Sequence, residues 1–218
     1  MGAWMYIAIE GIKGVGKSTM VSHLDSILAS ALPLDGKTHT VLSPTRPMPS
    51  QHPLEMQYAI NSNCDSYREM LYAERSNYHA SCIDWQTDII LGDRSIITSL
   101  AVRWHKIDDS LSPLAYYQAV RQKESVIKIP DVVIQLDCDE KTLLDRYANR
   151  QRDYGLHEEC IESVLLLKAN YQGVKNWLQT CEAESIIGKR VNWITIDTYG
   201  HGYLAILEQI LAIIAKSS

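Results

Sequence analysis

A glycine-rich segment near the start of the chain reads Gly11-Ile12-Lys13-Gly14-Val15-Gly16-Lys17-Ser18-Thr19. It satisfies the pattern G-x-x-x-x-G-K-[ST] and lies directly between a β-branched run and a helical pattern. In such a loop the glycines let backbone N–H groups converge on phosphate oxygens, and the helix N-terminus adds a favourable dipole. We expect Lys17 to neutralise the β- and γ-phosphates of a nucleoside triphosphate and Ser18 to hold Mg²⁺. The predicted triphosphate contacts are Gly11, Gly14, Val15, Gly16, Lys17, Ser18 and Thr19.

Beyond this loop, short apolar runs alternate with helical periodicity, which is typical of a mostly parallel sheet covered by helices. Five candidate strands lie at Trp4–Ile9, His39–Leu42, Asp88–Leu91, Asp131–Leu136 and Val191–Ile196. Candidate helices lie near 17–31, 53–85, 95–105, 112–128, 139–150, 157–182 and 203–216. We therefore predict an α/β three-layer fold in a single domain, residues 1–218. Its sheet is five-stranded and mostly parallel, with helices on both faces.

The composition argues against several classes of protein. The chain has 218 residues, with 21 Lys+Arg and 26 Asp+Glu, and its formal net charge of −5 does not attract nucleic acid or an anionic membrane. No apolar stretch reaches the length of a membrane span. The five cysteines form no C-x-x-C pair, which favours a reduced, cytoplasmic protein. The chain contains no phenylalanine, so an aromatic contact with a ligand must come from another residue type.

Charged residues follow the second and third candidate strands, at the edge where a parallel sheet binds its ligands. Asp93 and Arg94 follow the third strand. The carboxylate can hold Mg²⁺-bound water or a substrate hydroxyl, and the guanidinium can form a fork onto a phosphate. Arg46 follows the second strand, and Arg75 lies on the long helical stretch. Arg46, Arg75 and Arg94 together could surround a second phosphate.

Three further arginines follow the fourth candidate strand. Arg146 and Arg150 lie four residues apart on one helical face, and Arg152 follows shortly before Gly155. The pattern predicts a mobile lid near residues 146–157 that places arginines on the transferring phosphoryl group. We expect all three arginines to contact the triphosphate and Arg150 to act in catalysis.

Several of these segments resemble the thymidylate kinase family and, behind it, the deoxynucleoside kinases. The matching segments are Ile9-Glu10-Gly11, Thr45-Arg46-Pro47, Ala73-Glu74-Arg75, Gly92-Asp93-Arg94, Thr98-Ser99-Leu100-Ala101 and Pro130–Asp137. The resemblance implies that Arg46 and Arg94 bind the 5′-phosphate of the acceptor, and that Asp93 serves the metal and catalysis. It gives Arg75 and Ser99 contacts with the acceptor. It also implies phosphoryl transfer from ATP–Mg²⁺ to dTMP, and a homodimer formed through helices.

The arginine spacing of the predicted lid is closer to the deoxynucleoside kinases. By that resemblance Glu10 is the base that accepts the proton of a nucleoside 5′-hydroxyl. Arg46 favours a monophosphate acceptor instead, because a nucleoside brings no phosphate to pair with it. A nucleoside monophosphate kinase is therefore the preferred prediction, and a deoxynucleoside kinase is the alternative.

Two positions depart from the thymidylate kinase pattern. Lys13 stands where that family usually carries an acidic residue that reads the sugar 3′-hydroxyl, and a lysine is not an acceptor. Leu71 stands where the family places the phenylalanine that stacks on thymine. The nearest substitutes are Tyr67, Arg68 and Tyr72, and Tyr67 shares a helical face with Leu71. We expect Tyr67, Arg68 and Leu71 to bind the substrate, with thymine as the base that the resemblance implies.

Two functions of other classes stay open from the sequence. Asp197-Thr-Tyr-Gly200 matches the D-x-x-G of a GTPase switch, although no N-K-x-D follows it. The other is a protein that binds a nucleotide without turnover, because Lys13 and the altered base pocket depart from the enzymes.

Overall fold

The computed structural model describes residues 5–107, 111–149 and 159–217. Its sheet has five parallel strands in the order β2-β3-β1-β4-β5. The strands are β1 Met5–Glu10, β2 His39–Leu42, β3 Ile89–Asp93, β4 Val132–Asp137 and β5 Asn192–Asp197. The predicted α/β fold is confirmed, and every predicted strand is found within two residues of its predicted ends.

Helices connect the strands and pack around the sheet. They are α1 Lys17–Ala31, α2 Pro53–Met56, α3 Tyr58–Asn61, α4 Asp65–Ser81, α5 Ile96–Val102, α6 Pro113–Lys123, α7 Glu140–Ala148, α8 Ile161–Leu178, α9 Cys181–Ile187 and α10 Tyr203–Ser217. Short 3₁₀ helices lie at Leu32–Asp35 and Trp104–Lys106. No helix in the described ranges is long and apolar enough to cross a membrane.

Two predicted helical stretches are each divided. The stretch 53–85 contains α2, α3 and α4, because the polar run Asn61–Asn63 competes with helical hydrogen bonding and Cys64 is extended. The stretch 157–182 contains α8 and the start of α9. The break is at Thr180, which is extended and whose hydroxyl caps α9 by accepting from the Ala183 N–H.

Strand β1 lies at the centre of the sheet, between β3 and β4. All six of its residues are buried, as expected for a parallel strand covered on both faces. Helix α1 starts immediately after the glycine-rich loop and buries Met20, Val21, Leu24 and Leu28. The loop is therefore fixed at the middle of the carboxyl edge of the sheet.

Candidate active site

The third strand brings Asp93 and Arg94 beside the glycine-rich loop. In the parallel register of β1 and β3, Ile9 lies opposite Asp93. The Arg94 N–H then donates to the Ile9 carbonyl at 3.1 Å. The structure therefore brings together the two segments in which the sequence predicts phosphate and metal contacts.

The glycine-rich loop has the backbone that its sequence predicts. Gly11 has φ +130°, and a Cβ there would lie 2.2 Å from the Leu136 carbonyl oxygen. Gly16 has φ +100° and caps α1, yet a Cβ at this position would meet no atom within 4 Å, so the space at the helix N-terminus is open. Lys17 is buried, and its Nζ donates to the Ile12 carbonyl at 2.7 Å. The loop thus holds its lysine folded against its own backbone.

Helix α7 clamps the same loop through two side chains. Arg146 Nη1 donates to the Gly14 carbonyl at 3.2 Å, and the Tyr147 hydroxyl donates to the Lys13 carbonyl at 2.6 Å. The Lys13 Nζ lies 2.7 Å from the Glu159 carboxylate. The unusual lysine of the loop therefore has a carboxylate partner from a distant part of the chain. Residues 150–157 of the predicted lid, which include Arg150 and Arg152, lie outside the described residues. The roles of these two arginines stay predictions.

Glu10 ends β1 and is fully buried. One of its oxygens accepts from Ser95 Oγ at 2.7 Å; the other accepts from Thr98 Oγ1 at 2.7 Å and from the Tyr171 hydroxyl at 2.9 Å. Burial and the Glu10 charge raise the pKa of Tyr171, which keeps the phenol protonated as a donor. A base for a nucleoside hydroxyl must be reachable by substrate. The structure makes Glu10 an internal acceptor that joins β1, α5 and α8, and its role as a base stays a prediction.

Arg94 has φ +77°. It is the only non-glycine residue in the described ranges with a left-handed backbone. Such a conformation costs about 1–3 kcal/mol and persists only where its surroundings hold it. Here Arg94 Nη1 donates to Thr98 Oγ1 at 3.2 Å and lies 3.5 Å from the Gly11 carbonyl oxygen. Because Thr98 also bonds Glu10, the buried carboxylate and the guanidinium belong to one network. The network fixes a cation at the start of the phosphate loop.

Ser18 and Asp93 have the donor chemistry that Mg²⁺ prefers, a hydroxyl and a carboxylate oxygen. Ser18 is exposed in the first turn of α1, and Asp93 is half-buried at the end of β3. In the described part of the chain no group of three or more His, Cys, Asp or Glu side chains could hold a metal by itself. The two residues therefore fit an ion that takes its remaining ligands from nucleotide phosphates and water.

On the predicted acceptor side the three arginines differ. Arg46 is exposed, and its guanidinium has no hydrogen bond to any residue that the structure describes. Arg75 is buried and forms a bidentate pair with Glu55, with both N–O distances 2.6 Å. The predicted grouping of Arg46, Arg75 and Arg94 around a second phosphate stays a prediction, with Arg75 already paired to Glu55.

Two of the three predicted base-binding residues of α4, Tyr67 and Leu71, face the protein interior. Leu71 is fully buried and Tyr67 nearly so, and both pack with Met48. The Tyr67 hydroxyl donates to the Leu54 carbonyl. Arg68 bonds the Ser62 carbonyl and the Asp65 carboxylate at the start of α4. Tyr67 and Leu71 do share a face, which packs against Met48, and their contact with the substrate stays a prediction.

Ser99 lines a small cavity of about 20 Å³ between α4, α5 and α6. Tyr72, Arg103 and Glu124 also line it, and burial raises the pKa of Glu124 to about 7. The cavity has room for a single water molecule. Ser99 therefore lies beside a polar cavity rather than in an open cleft, and its contact with the acceptor stays a prediction.

Comparisons with known proteins bear on the family. No family model matches the chain. A curated protein of Methanobrevibacter smithii, a probable thymidylate kinase, is 29% identical over 171 residues, which cover 77% of this chain and 79% of that protein. The chain is similar to thymidylate kinases. A thymidylate kinase of Helicobacter hepaticus is 25% identical over 153 residues, 68% of this chain and 73% of that protein. The predicted resemblance is confirmed.

Solved thymidylate kinase structures share the fold. The structure from Candida albicans aligns with a TM-score of 0.61 and 16% identity, over 98% of this chain and 92% of that chain. The structure from Ehrlichia chaffeensis aligns with a TM-score of 0.56 and 17% identity, over 99% of this chain and all of that chain. At these identities the likeness shows the fold alone.

The segment that matches the GTPase pattern, Asp197–Gly200, lies away from the phosphate loop. Asp197 ends β5, the edge strand, and β4 separates it from β1 and the phosphate loop. Its carboxylate accepts from the Tyr199 N–H and closes a local turn. The D-x-x-G match therefore gives no contact with the loop in the thymidylate kinase-like fold.

The sequence did not point to two acidic residues of the site, Glu55 and Glu159. Each pairs with a cation far away in the chain, Glu55 with Arg75 and Glu159 with Lys13. The available signal was indirect: an arginine on the buried face of a helix, and a lysine in a phosphate loop, each call for a compensating acid. No local spacing identifies which acid supplies it.

Proposed function

We propose that the protein is an ATP-dependent nucleoside monophosphate kinase with dTMP as its preferred acceptor. The observation that carries the proposal is the contact of Arg94 with both Ile9 and Gly11 at the start of the phosphate loop. A cation for a second phosphate thus lies beside the loop for the triphosphate. The similarity to two thymidylate kinases, those of Methanobrevibacter smithii and Helicobacter hepaticus, suggests dTMP as the acceptor.

In the proposed reaction the phosphate loop and the N-terminus of α1 bind the triphosphate of ATP. Lys17 exchanges its bond to the Ile12 carbonyl for bonds to phosphate oxygens. Ser18 and Asp93 would hold a Mg²⁺ ion, which would supply charge neutralisation at the transferring group when bound. The remaining residues act by holding donor and acceptor in line, with little covalent work.

Two residues support a monophosphate as the acceptor. The Arg46 guanidinium is exposed and has no hydrogen bond among the described residues, so it is available to a phosphate dianion. Glu10, the base that nucleoside phosphorylation requires by resemblance, is buried beneath three hydroxyl donors. Both observations favour the monophosphate kinase over the deoxynucleoside kinase.

The test is ADP release from ATP–Mg²⁺ with a panel of deoxynucleoside monophosphates and the corresponding nucleosides. We expect turnover with the monophosphates, fastest with dTMP, and none with thymidine. Lys17→Ala should abolish it, because the loop loses the cation for the β- and γ-phosphates. The proposal is contradicted if thymidine is phosphorylated as fast as dTMP. It is also contradicted if none of the acceptors is phosphorylated.

Replacement of Arg46 separates acceptor binding from ATP binding. Arg46→Ala should raise the KM for dTMP by about 10-fold or more, because a charge-assisted hydrogen bond to phosphate is lost. The KM for ATP should stay the same, since Arg46 follows β2 and lies outside the phosphate loop. An unchanged KM for dTMP would show that Arg46 does not contact the acceptor.

A further inference from the structure

The bidentate pair of Glu55 and Arg75 lies where the family resemblance predicts an acceptor contact. Arg75 Nε and Nη2 donate to the two carboxylate oxygens of Glu55, each at 2.6 Å. Both side chains are less than one tenth exposed. The paired geometry is the strongest that an arginine and a carboxylate can form. The pair is therefore part of the buried interior of the folded protein.

Arg75 uses three of its five N–H donors in bonds within the protein. Its Nη1 donates to the Thr45 carbonyl at 3.3 Å, in addition to the two bonds to Glu55. The rings of Tyr72 and Tyr58 lie 5.1 and 5.7 Å from the guanidinium carbon. A base edge that displaced Glu55 from this guanidinium would leave a buried carboxylate without its partner.

The pair also fixes the loop that carries Arg46. The Met48 N–H donates to the same Glu55 carboxylate at 2.8 Å, and the Thr45 carbonyl accepts from Arg75. Between them, the Arg46 carbonyl oxygen lies 3.1 Å from His79 Nε2 of α4. The backbone on both sides of Arg46 is thus anchored to α2 and α4, and the side chain of Arg46 extends from a fixed base.

We propose that Arg75 is a positioning residue that acts through Glu55: the pair holds residues 45–48 so that Arg46 is presented to the acceptor phosphate. Selection of the base does not pass through Arg75. This inference rests on the proposed function, because it takes the acceptor to be a nucleoside monophosphate. It departs from the resemblance, which gives Arg75 a direct contact with the substrate.

The test compares Glu55→Gln, Arg75→Gln and Arg75→Lys with the wild type, using dTMP, dUMP and dCMP as acceptors. We expect Glu55→Gln and Arg75→Gln to raise the KM of every acceptor by the same factor, about 10-fold. The ratios of kcat/KM among the three acceptors and the KM for ATP should stay within about twofold. Arg75→Lys, which keeps the charge, should recover part of the loss. In an Arg46→Ala background Glu55→Gln should have no further effect on KM, because the two changes act on one contact.

Glu69→Gln is the matched control, since half-exposed Glu69 lies on the same helix α4 and pairs with exposed Lys123 at 2.6 Å. It should leave KM unchanged. Hydrogen exchange supplies a readout without turnover: the Met48 amide should lose protection in Glu55→Gln and keep it in Glu69→Gln. KM and exchange are both measurable on the folded fraction of a destabilised variant.

Three results would overturn the inference. If Arg75→Gln changes the ratios among acceptors while Glu55→Gln does not, Arg75 reads the base. If both variants lower stability but leave every KM unchanged, the pair is merely structural. A wild type that phosphorylates no monophosphate contradicts the proposed function and this inference together, whereas the first two results contradict this inference alone.

Discussion

Arg94 combines a left-handed backbone with a guanidinium that contacts the phosphate loop. Residues in such conformations concentrate at functional sites, because the surrounding structure must compensate their cost. The compensation is visible here, in the bonds of its N–H to Ile9 and of its side chain to Thr98. At this position stability would favour glycine, because of the positive φ, whereas function requires the guanidinium of arginine.

Two substitutions of Arg94 separate those demands. Both Arg94→Ala and Arg94→Gly remove the guanidinium, but only glycine accepts a φ near +77° without steric cost. We expect Arg94→Gly to be more stable than Arg94→Ala by about 1 kcal/mol in urea unfolding. Both should lose about 100-fold or more in kcat/KM for the acceptor. Equal stability of the two variants would show that the backbone at Arg94 is not strained.

The phosphate loop is an element whose conformation depends on contacts from outside it. Arg146 and Tyr147 of α7 bond its carbonyls, and Glu159 pairs with Lys13. The Glu159 side chain is only 7% exposed, so water screens its charge poorly. A carboxylate held at a site for polyanions should weaken their binding, and the pair with Lys13 limits that effect.

Removal of the Glu159 charge should strengthen nucleotide binding. In Glu159→Gln the loop gains a net positive charge, and we expect the Kd for ATP to fall by about threefold to tenfold. Calorimetric titration with ATP–Mg²⁺ measures this, and the gain should shrink as salt is raised. Glu162→Gln, an exposed position on the first turn of α8, is the control and should leave Kd unchanged. Weaker ATP binding in Glu159→Gln would mean that the ion pair is needed to shape the loop.

At the scale of the whole molecule, Glu124 is a buried carboxyl that links folding to pH. Its Oε2 has no hydrogen-bond partner among the described residues, and burial raises its pKa from 4.5 to about 7. Between these values the folded protein keeps a proton that the unfolded chain releases. Stability from this group is therefore complete below about pH 4.5 and is lost as the pH rises to about 7.

The loss corresponds to about 3 kcal/mol across that window, from about 1.4 kcal/mol for each unit of pKa. Glu124→Gln removes the titrating group. As the pH rises from 5 to 8, the unfolding free energy of the variant should therefore increase relative to that of the wild type. Urea unfolding at each pH measures the difference. Glu162→Gln should track the wild type, since Glu162 is exposed on the first turn of α8. Parallel curves for wild type and Glu124→Gln would show that Glu124 is ionised in the folded protein.

The sequence predicts the architecture well because the signals for parallel strands are local. Each strand is a short apolar run followed by a turn and a helical pattern, and β1 to β5 all follow this rule. The errors fall at helix breaks such as Thr180, where a single capping residue decides between one helix and two. The loop, Asp93 and Arg94 come together because carboxyl ends of neighbouring parallel strands share an edge.

The acceptor side is predicted less well, because pairing between distant residues determines it. The spacing of Tyr67 and Leu71 correctly places them on one face of α4, but spacing does not distinguish a face toward a ligand from one toward Met48 and the core. The pairing of Arg75 with Glu55 was not predictable from local spacing either, since only the fold brings the two residues together. Residue type and period identify what a side chain can do, and long-range contacts decide whether it is free to do it.

The order of the sheet has a consequence for how the chain folds during synthesis. Strand β1 is made first, yet its two neighbours are β3 and β4, which end at Asp93 and Asp137. Until β4 has left the ribosome, one edge of this largely apolar strand is unpaired and prone to wrong associations. Such long-range pairing is also slow to form. The phosphate loop is thus encoded near the beginning of the chain but acquires its supporting structure only after more than half of it has been made.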